Sequence, residues 1–192
     1  MTLKLITAPA TEPVSLADAK LHLRVDGSDE DDLITALIQA SREAAEHQLG
    51  RALITQEWER VLDAFPPAEI ELGMPPVTGI TSVTYIDTAE VSTVMDAADY
   101  SLDADRLPGW LLPAYGEDWP STLDTPNAVR VRFVCGYGAS ASDVPAAIVA
   151  WIKIRIGTLY KHREQIAVGV SVSDLPGAFV DRLLDPYRVW SA

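Results

Sequence analysis

The sequence predicts an α+β fold: a helical bundle formed by N- and C-terminal helices, with an inserted antiparallel β-rich segment. Three observations carry this expectation. Apolar residues recur at helical spacing between Ser15 and Gly50, alternate with a period of two from Ile54 to Val134, and return to helical spacing after Ser142-Asp143. The corresponding division assigns residues 1–50 with 144–192 to a helical domain and residues 51–143 to a β-rich insertion. A chain of 192 residues is long enough for one domain or two small ones with real cores.

The first helix is expected where Ser15 and Asp18 make a capping box ahead of Leu16, Ala19 and Leu23, with Asp26-Gly27 ending it. A longer helix follows. Ser28 with Asp31 is a second capping-box pattern, Asp29 to Asp32 put carboxylates at the positive end of the helix, and Gly50 sits where a C-cap belongs. Leu33, Leu37, Ala40 and Ala44 form one apolar stripe and Ile34, Ile38, Ala45 and Leu49 an adjacent one. Thr35, Gln39, Arg42, Glu43 and Glu46 cluster opposite. Such a helix is roughly 30 Å long at ~1.5 Å per residue, which suits a bundle.

From Ile54 the period is two: Ile54, Trp58 and Leu62 alternate with Thr55, Glu57 and Glu59. Pro66-Pro67 and Pro75-Pro76 bracket a short Ile70-Glu71-Leu72 strand. Ile80 to Ile86 is a β-branched run, Tyr100 to Asp103 a further short strand, and Val129 to Val134 alternates up to the Gly136-Tyr137-Gly138 turn. Closely spaced short strands imply an antiparallel sheet or small barrel. Pro145 then opens a helix at a position where its missing N–H costs little. Ile148, Ile152, Ile156, Leu159 and Tyr160 share one broad face of that helix, and Ala147, Trp151 and Ile154 lie on another. Residues 164–175 read as a loop and Phe179 to Leu184 as a last short helix, which Pro186 ends.

Charge narrows the function. The 28 Asp and Glu against 15 Lys and Arg give −13, which disfavours a protein whose task is gripping nucleic-acid phosphates. The imbalance is regional: residues 1–62 carry 6 basic and 11 acidic side chains, residues 63–143 carry 3 and 13, and residues 144–192 carry 6 and 4. The only cysteine, Cys135, rules out an internal disulfide framework or a multi-cysteine metal cage. The start, Met1-Thr-Leu-Lys-Leu-Ile-Thr-Ala-Pro, has too short an apolar run for a signal segment, and no uninterrupted apolar stretch of ~18 residues occurs. The expectation is a soluble cytoplasmic protein with no membrane partner.

Catalytic chemistry finds little support. His22, His47 and His162 lack the paired spacing of a zinc site. Cys135 lies among Phe133 and Val134 in a strand pattern, where a buried hydrophobe is the simpler reading than a nucleophile. The run Asp26-Gly-Ser-Asp-Glu-Asp-Asp32 has the wrong glycine position for a calcium loop and is explained by helix capping. Asp96, Asp99, Asp103 and Asp105 are turn carboxylates without a catalytic motif, although a small hydrolase using a carboxylate pair on the β insertion is the alternative from another class. No cofactor and no metal are expected.

The unusual feature is apolar and aromatic surface. Trp151 and Ile154 on the second face of the long helix, and Tyr187, Val189 and Trp190 beyond the last helix, are poor choices for solvent. Either the inserted sheet covers them or, with Arg155, Arg163 and Arg188, they form a protein interface of the aromatic-and-arginine kind.

The chain resembles the head–tail connector proteins of long-tailed bacteriophages and gene transfer agents, the adaptor or head-completion family. The matching stretches are Pro13-Val-Ser-Leu-Ala-Asp-Ala-Lys-Leu-His-Leu-Arg-Val-Asp26, Leu49-Gly-Arg-Ala-Leu53, Thr55-Gln-Glu-Trp58, Ser82-Val-Thr-Tyr-Ile86 and Pro113-Ala-Tyr-Gly-Glu-Asp-Trp-Pro120, and then Val129 to Gly138, Val144-Pro145, Tyr160-Lys-His-Arg-Glu164 and Leu184-Asp-Pro-Tyr-Arg-Val189. The resemblance implies a non-enzymatic subunit of a ring, typically of twelve copies, that docks under the portal, extends the DNA channel and presents a surface to the next neck or tail protein. It implies a location in the virion neck, after assembly in the host cytoplasm. By position, Pro186 to Trp190 match the family's C-terminal arm, expected to dock on a neighbouring subunit or the portal.

A bore that passes DNA without holding it should carry carboxylates, and the acidic middle segment would supply them at the bore or outer rim. A closed ring also needs two different sticky faces per subunit. The expected subunit and portal contacts are Trp151, Ile154, Arg155, Arg163, Tyr187, Arg188, Val189 and Trp190. Another neck or tail-completion ring protein is a further alternative.

Overall fold

The computed structural model describes residues 2–162 and 180–189. The fold is α+β, with antiparallel sheets and three α-helices among the described residues. The chain divides into two compact units, Met1–Ala10 with Thr55–Tyr137 and Thr11–Ile54 with Gly138–Ala192. The division differs from the expected 1–50 with 144–192 and 51–143 because the first residues form a strand. Thr2–Thr7 (β1) pairs antiparallel with Gln56–Leu62 (β2), so the N-terminus belongs to the sheet. Its signal in the sequence is one short Leu-Lys-Leu alternation, too brief to separate from a loop.

The sheet unit is built around Val129–Cys135 (β8). This strand lies between β2 and Val77–Ile86 (β4), and Ser92–Val94 (β5) adds the far edge, giving the order β1-β2-β8-β4-β5. The alternation of β8 decides its faces: Val129, Val131, Phe133 and Cys135 are fully buried, while Arg130, Arg132 and Val134 face outward. A second, three-stranded sheet joins Ile70–Glu71 (β3), Trp110–Pro113 (β7) and Tyr100–Asp103 (β6), with Ile70 and Leu102 both opposite the buried Leu111. β5 and β7 have no sequence signal of their own; at three and four residues they depend on the neighbours they pair with.

One face assignment on β2 is reversed. Glu59, expected to face solvent opposite Trp58, is 3% exposed, whereas Trp58 is half-buried. The reason lies on β8: Arg132 Nε and Arg130 Nη1 each donate to the Glu59 carboxylate at 2.9 Å. Burial opposes ionisation of Glu59, but the hydrogen bonds and charges of the two arginines prevail and hold its pKa below the ordinary carboxylate value.

The helical unit contains Leu16–Leu23 (α1), Asp31–Leu49 (α2) and Ala146–Lys161 (α3), with α2 packed on α3 and α1 against both. Ser15 caps α1 as expected, its hydroxyl oxygen accepting from the Asp18 N–H at 3.0 Å. The helix ends at Arg24, with a φ of 57°, before Asp26-Gly27 is reached. Ser28 does not cap α2. The helix starts three residues later, with Glu30 at the N-cap and no side-chain cap bond. Lys20 explains the shift, since its ammonium bonds the Gly27 carbonyl and pairs with Asp31 at 2.5 Å, drawing the acidic run into the α1–α2 turn.

Only one of the two apolar stripes of α2 is its core face. Ile34, Ile38, Ala45 and Leu49 are buried, while Leu33 and Ala40 are exposed and Leu37 and Ala44 are half-buried. Arg42 and Glu46, placed by periodicity on the polar face, are 5% and 6% exposed. They enter the interior as a network: Arg42 Nε donates to Glu12 at 2.8 Å, its Nη1 donates to Glu46 at 2.7 Å, and the second Glu46 oxygen accepts from the Leu53 N–H at 2.9 Å. A buried ion pair whose lone pairs are also used by backbone is the form in which charge survives desolvation. Gly50, at a φ of 64°, closes the helix as expected.

Candidate assembly surface

The surface that bears the expected contact residues is built on α3. The 3-10 turn Ala141–Asp143 that leads into it is fixed by a capping box, with the Ser140 hydroxyl accepting from the Ser142 N–H and the Asp143 carboxylate accepting from the Ser140 N–H at 3.0 Å. Pro145 is the N-cap. Ile148, Ile152 and Ile156, spaced by four, are fully buried, while Leu159 and Tyr160 on the same face are half-buried and the Tyr160 hydroxyl bonds Glu30.

The second face separates into two parts. Trp151, expected at an intersubunit contact, is 4% exposed and its indole Nε1 donates to Asp181 Oδ1 at 2.9 Å. The chain's own residues cover it, so it is a packing residue of the helical unit and not a surface anchor. Ile154 is 37% exposed and Arg155 is exposed beside it. Together with Thr158, Lys161, His22 and Asp181 they line a groove of about 520 Å³, floored in part by Trp151. Of the lining side chains Arg155 and Lys161 are cationic and Asp181 is the one carboxylate, so positive charge exceeds negative in the groove.

The described residues 184–189 pack on the helical unit of their own chain. Leu184 is fully buried, and Asp185–Tyr187 forms a 3-10 turn containing Pro186, so that proline sits within the last helical turn instead of ending the one before it. Tyr187, Arg188 and Val189, expected on an intersubunit arm, are half-buried against the end of α2 of the same chain. The Val189 N–H donates to the Leu49 carbonyl at 2.9 Å, and Arg51 Nε donates to the Tyr187 carbonyl. Those contacts satisfy groups that a helix C-terminus leaves open. Arg163 and Trp190 lie outside the described residues, as does the loop expected at residues 164–175.

The other motifs resolve into structural roles. Asp96 accepts from the Ala98 N–H at 2.9 Å, and Asp103 accepts from Asp105 and Arg106 at 3.2 and 3.3 Å, so both are turn caps. Cys135 is fully buried in β8. Among the described residues no group of three or more His, Cys, Asp or Glu side chains could hold a metal ion, and no helix is long and apolar enough to cross a membrane.

One feature escaped the reading of composition and periodicity. Tyr115, in the Pro113–Pro120 stretch, has a relative exposure of 106%, the highest among the large hydrophobic side chains of the described residues. Its signal in the sequence is Gly116 directly after an aromatic residue between two prolines, a turn pattern that puts the aromatic at the tip.

Residues 13–79 match the family described as phage gp6-like head-tail connector protein. Among solved structures, the whole chain matches 97% of a chain from the neck of an empty gene transfer agent (GTA) particle computed with C6 symmetry, with a TM-score of 0.78 and 25% identity. It matches equally fully a chain from the virion of a native GTA particle, with a TM-score of 0.79 and 25% identity. A chain from the neck of a native GTA particle computed with C12 symmetry shares the fold, with a TM-score of 0.74 and 24% identity. No curated protein sequence matches the chain.

Proposed function

We propose that this chain, similar to head–tail connector proteins over residues 13–79 and to GTA neck chains along its whole length, is a structural subunit of a virion neck and not an enzyme. The observation that carries the reading is the full-length match: 100% of this chain on 97% of a neck chain leaves neither protein with an unmatched domain. In this reading the subunit forms an oligomeric ring, expected at twelve copies, beneath the portal. The ring extends the DNA channel and joins the capsid to the tail or to the next neck protein. The helices of Thr11–Ile54 and Gly138–Ala192 would be the connector bundle and the sheets of the other unit an insertion into it. The sheet unit carries 14 acidic and 5 basic residues, a net of −9, which suits a wall or rim that DNA passes without adhering.

The hydrolase alternative gains no support, because Asp96 and Asp103, two of the four carboxylates it would use, cap turns, and the α3 groove is lined by none of the four. The test is genetic and structural. Deleting the gene should give filled heads and separate tails, and a neck reconstruction of intact particles should contain this fold directly under the portal. Normal yields of tailed particles from the deletion strain would overturn the proposal.

A further inference from the structure

The Tyr115 turn is shaped as a contact element, and the neck role alone gives it no task. Glu117 N–H donates to the Ala114 carbonyl at 2.9 Å, and Gly116 has a φ of 84°, as the third residue of a type II turn requires. The base is braced on both sides. Ala114 N–H donates to the Asp99 carbonyl at 2.9 Å, and Trp119 stacks on Phe65 with centroids 4.9 Å apart and planes 7° apart while its Nε1 donates to the Ala68 carbonyl at 2.6 Å. A solvated tyrosine on a rigid turn loses little freedom on binding, which makes it a strong candidate anchor. Two exposed carboxylates, Glu117 and Asp118, follow it directly.

The α3 groove is the opposite in shape and charge. Its lining includes Trp151 and Ile154, the cations Arg155 and Lys161 outnumber its one carboxylate, Asp181, which already accepts from the Trp151 indole, and its volume of about 520 Å³ lies in the ~300–1,000 Å³ range that encloses a compact ligand. A ring closes only through a head-to-tail contact between two unlike patches on the same chain. This chain carries both: an acidic aromatic knob and a basic, partly apolar groove. We propose that the Tyr115–Asp118 turn of one copy seats in the α3 groove of the neighbouring copy, with the phenol over Ile154 and the carboxylates on Arg155 and Lys161. The proposal rests on the neck-ring reading and names the surfaces by which that ring closes.

Photo-crosslinking in assembled particles tests it. With Tyr115 replaced by p-benzoylphenylalanine, irradiation should join two copies of this chain through peptides spanning residues 151–161. An adduct to a different neck protein, or no adduct in particles that contain the chain, would overturn the proposal while leaving the neck reading intact. A second arm uses charge. Glu117→Lys with Asp118→Lys should lower the yield of tailed particles about tenfold or more, and adding Arg155→Glu with Lys161→Glu should restore it. Failure of the combined variant to recover, with every variant folded by circular dichroism, would also overturn the proposal. Absence of the chain from particles would instead sink the neck reading and this contact with it.

Discussion

The indole of Trp151, at the middle of α3, donates its Nε1–H to the carboxylate of Asp181 at 2.9 Å, and this bond ties the C-terminal residues to the helix. Because the side chain is 4% exposed, its loss acts on stability before it acts on assembly. Trp151→Ala should destabilise the protein by about 3–5 kcal/mol through the lost transfer energy and the cavity left behind. Trp151→Phe keeps most of the apolar contact but leaves the Asp181 carboxylate without that donor, and should cost about 1–2 kcal/mol. Urea melts followed by far-ultraviolet circular dichroism would separate the two; equal midpoints for Trp151→Ala and the parent would contradict the packing role.

Arg42 joins three parts of the helical unit through carboxylates: Glu12 from the segment before α1, Glu46 one turn along α2, and through Glu46 the Leu53 N–H. Burial opposes the charge on Arg42, yet Glu46 and Glu12 outweigh it and the guanidinium is held more firmly protonated than usual. Arg42→Ala therefore leaves two carboxylates in a poorly solvated place and should cost about 3–5 kcal/mol, more than a surface ion pair would. A drop of less than ~1 kcal/mol in a denaturant titration would show the network to be no stronger than an exposed pair.

The buried Glu59 and the half-buried Glu12 respond to acid in opposite senses. Glu59 has a folded pKa depressed below 4.5, so it contributes stability that is complete above 4.5 and is lost as pH falls through the lower folded value. Glu12 is raised above 4.5, by burial first and by Glu46 and Glu43 as well, despite Arg42. Its contribution runs the other way: stability is gained as pH falls through that raised value toward 4.5. Glu59→Gln should flatten the acid limb below 4.5, and Glu12→Gln should flatten the window just above it. Stability curves against pH for both variants would check the signs, and a steeper acid limb in Glu59→Gln would refute the assignment.

Gly138 is required by contact, not by φ. A Cβ there would lie 2.1 Å from Asp143 Oδ2 and 2.7 Å from the Asp143 Cβ. The Asp143 carboxylate cannot swing away freely, because it accepts the Ser140 N–H in the capping box that starts the turn before α3. Gly138→Ala should thus cost about 1–2 kcal/mol, the scale of a lost cap. In a cycle with Asp143→Ala the two changes should be strongly non-additive, and simple additivity in thermal melts would exclude the shared mechanism.

Helix positions and the central strand were legible because their signals are local and repeated: Ile148, Ile152 and Ile156 on α3, and Val129, Val131 and Phe133 on β8, stand at the spacing that their burial requires. What stayed hidden depends on partners distant in sequence. Glu59 is buried only because Arg130 and Arg132 arrive from a strand some seventy positions away, and Arg42 because Glu12 folds back over α2. β1 takes its strand state from β2, far along the chain. The candidate surface was half legible. Periodicity groups Trp151 and Ile154 on a second face, but nothing local says that Trp151 is buried and bonded to Asp181 while Ile154 stays exposed.

Ile154 is the residue at which assembly can be disturbed without the fold. It is 37% exposed and lines the α3 groove beside Arg155. Surface changes of this kind usually alter stability by about 0.5 kcal/mol or less, and an aspartate within a helix adds a propensity cost of a few tenths more, so Ile154→Asp should melt close to the parent. The same change puts a carboxylate where the proposed contact brings Glu117 and Asp118, combining lost apolar area with like-charge repulsion. Tailed-particle yield should then fall while the isolated chain keeps its circular dichroism spectrum and melting midpoint. Arg155→Glu should behave alike. The controls Val94→Asp and Leu107→Asp, at more exposed apolar sites of the sheet unit, should have less effect on yield. If Ile154→Asp assembles as well as those controls, the groove is not a subunit contact and the basic face of α3 serves some other purpose.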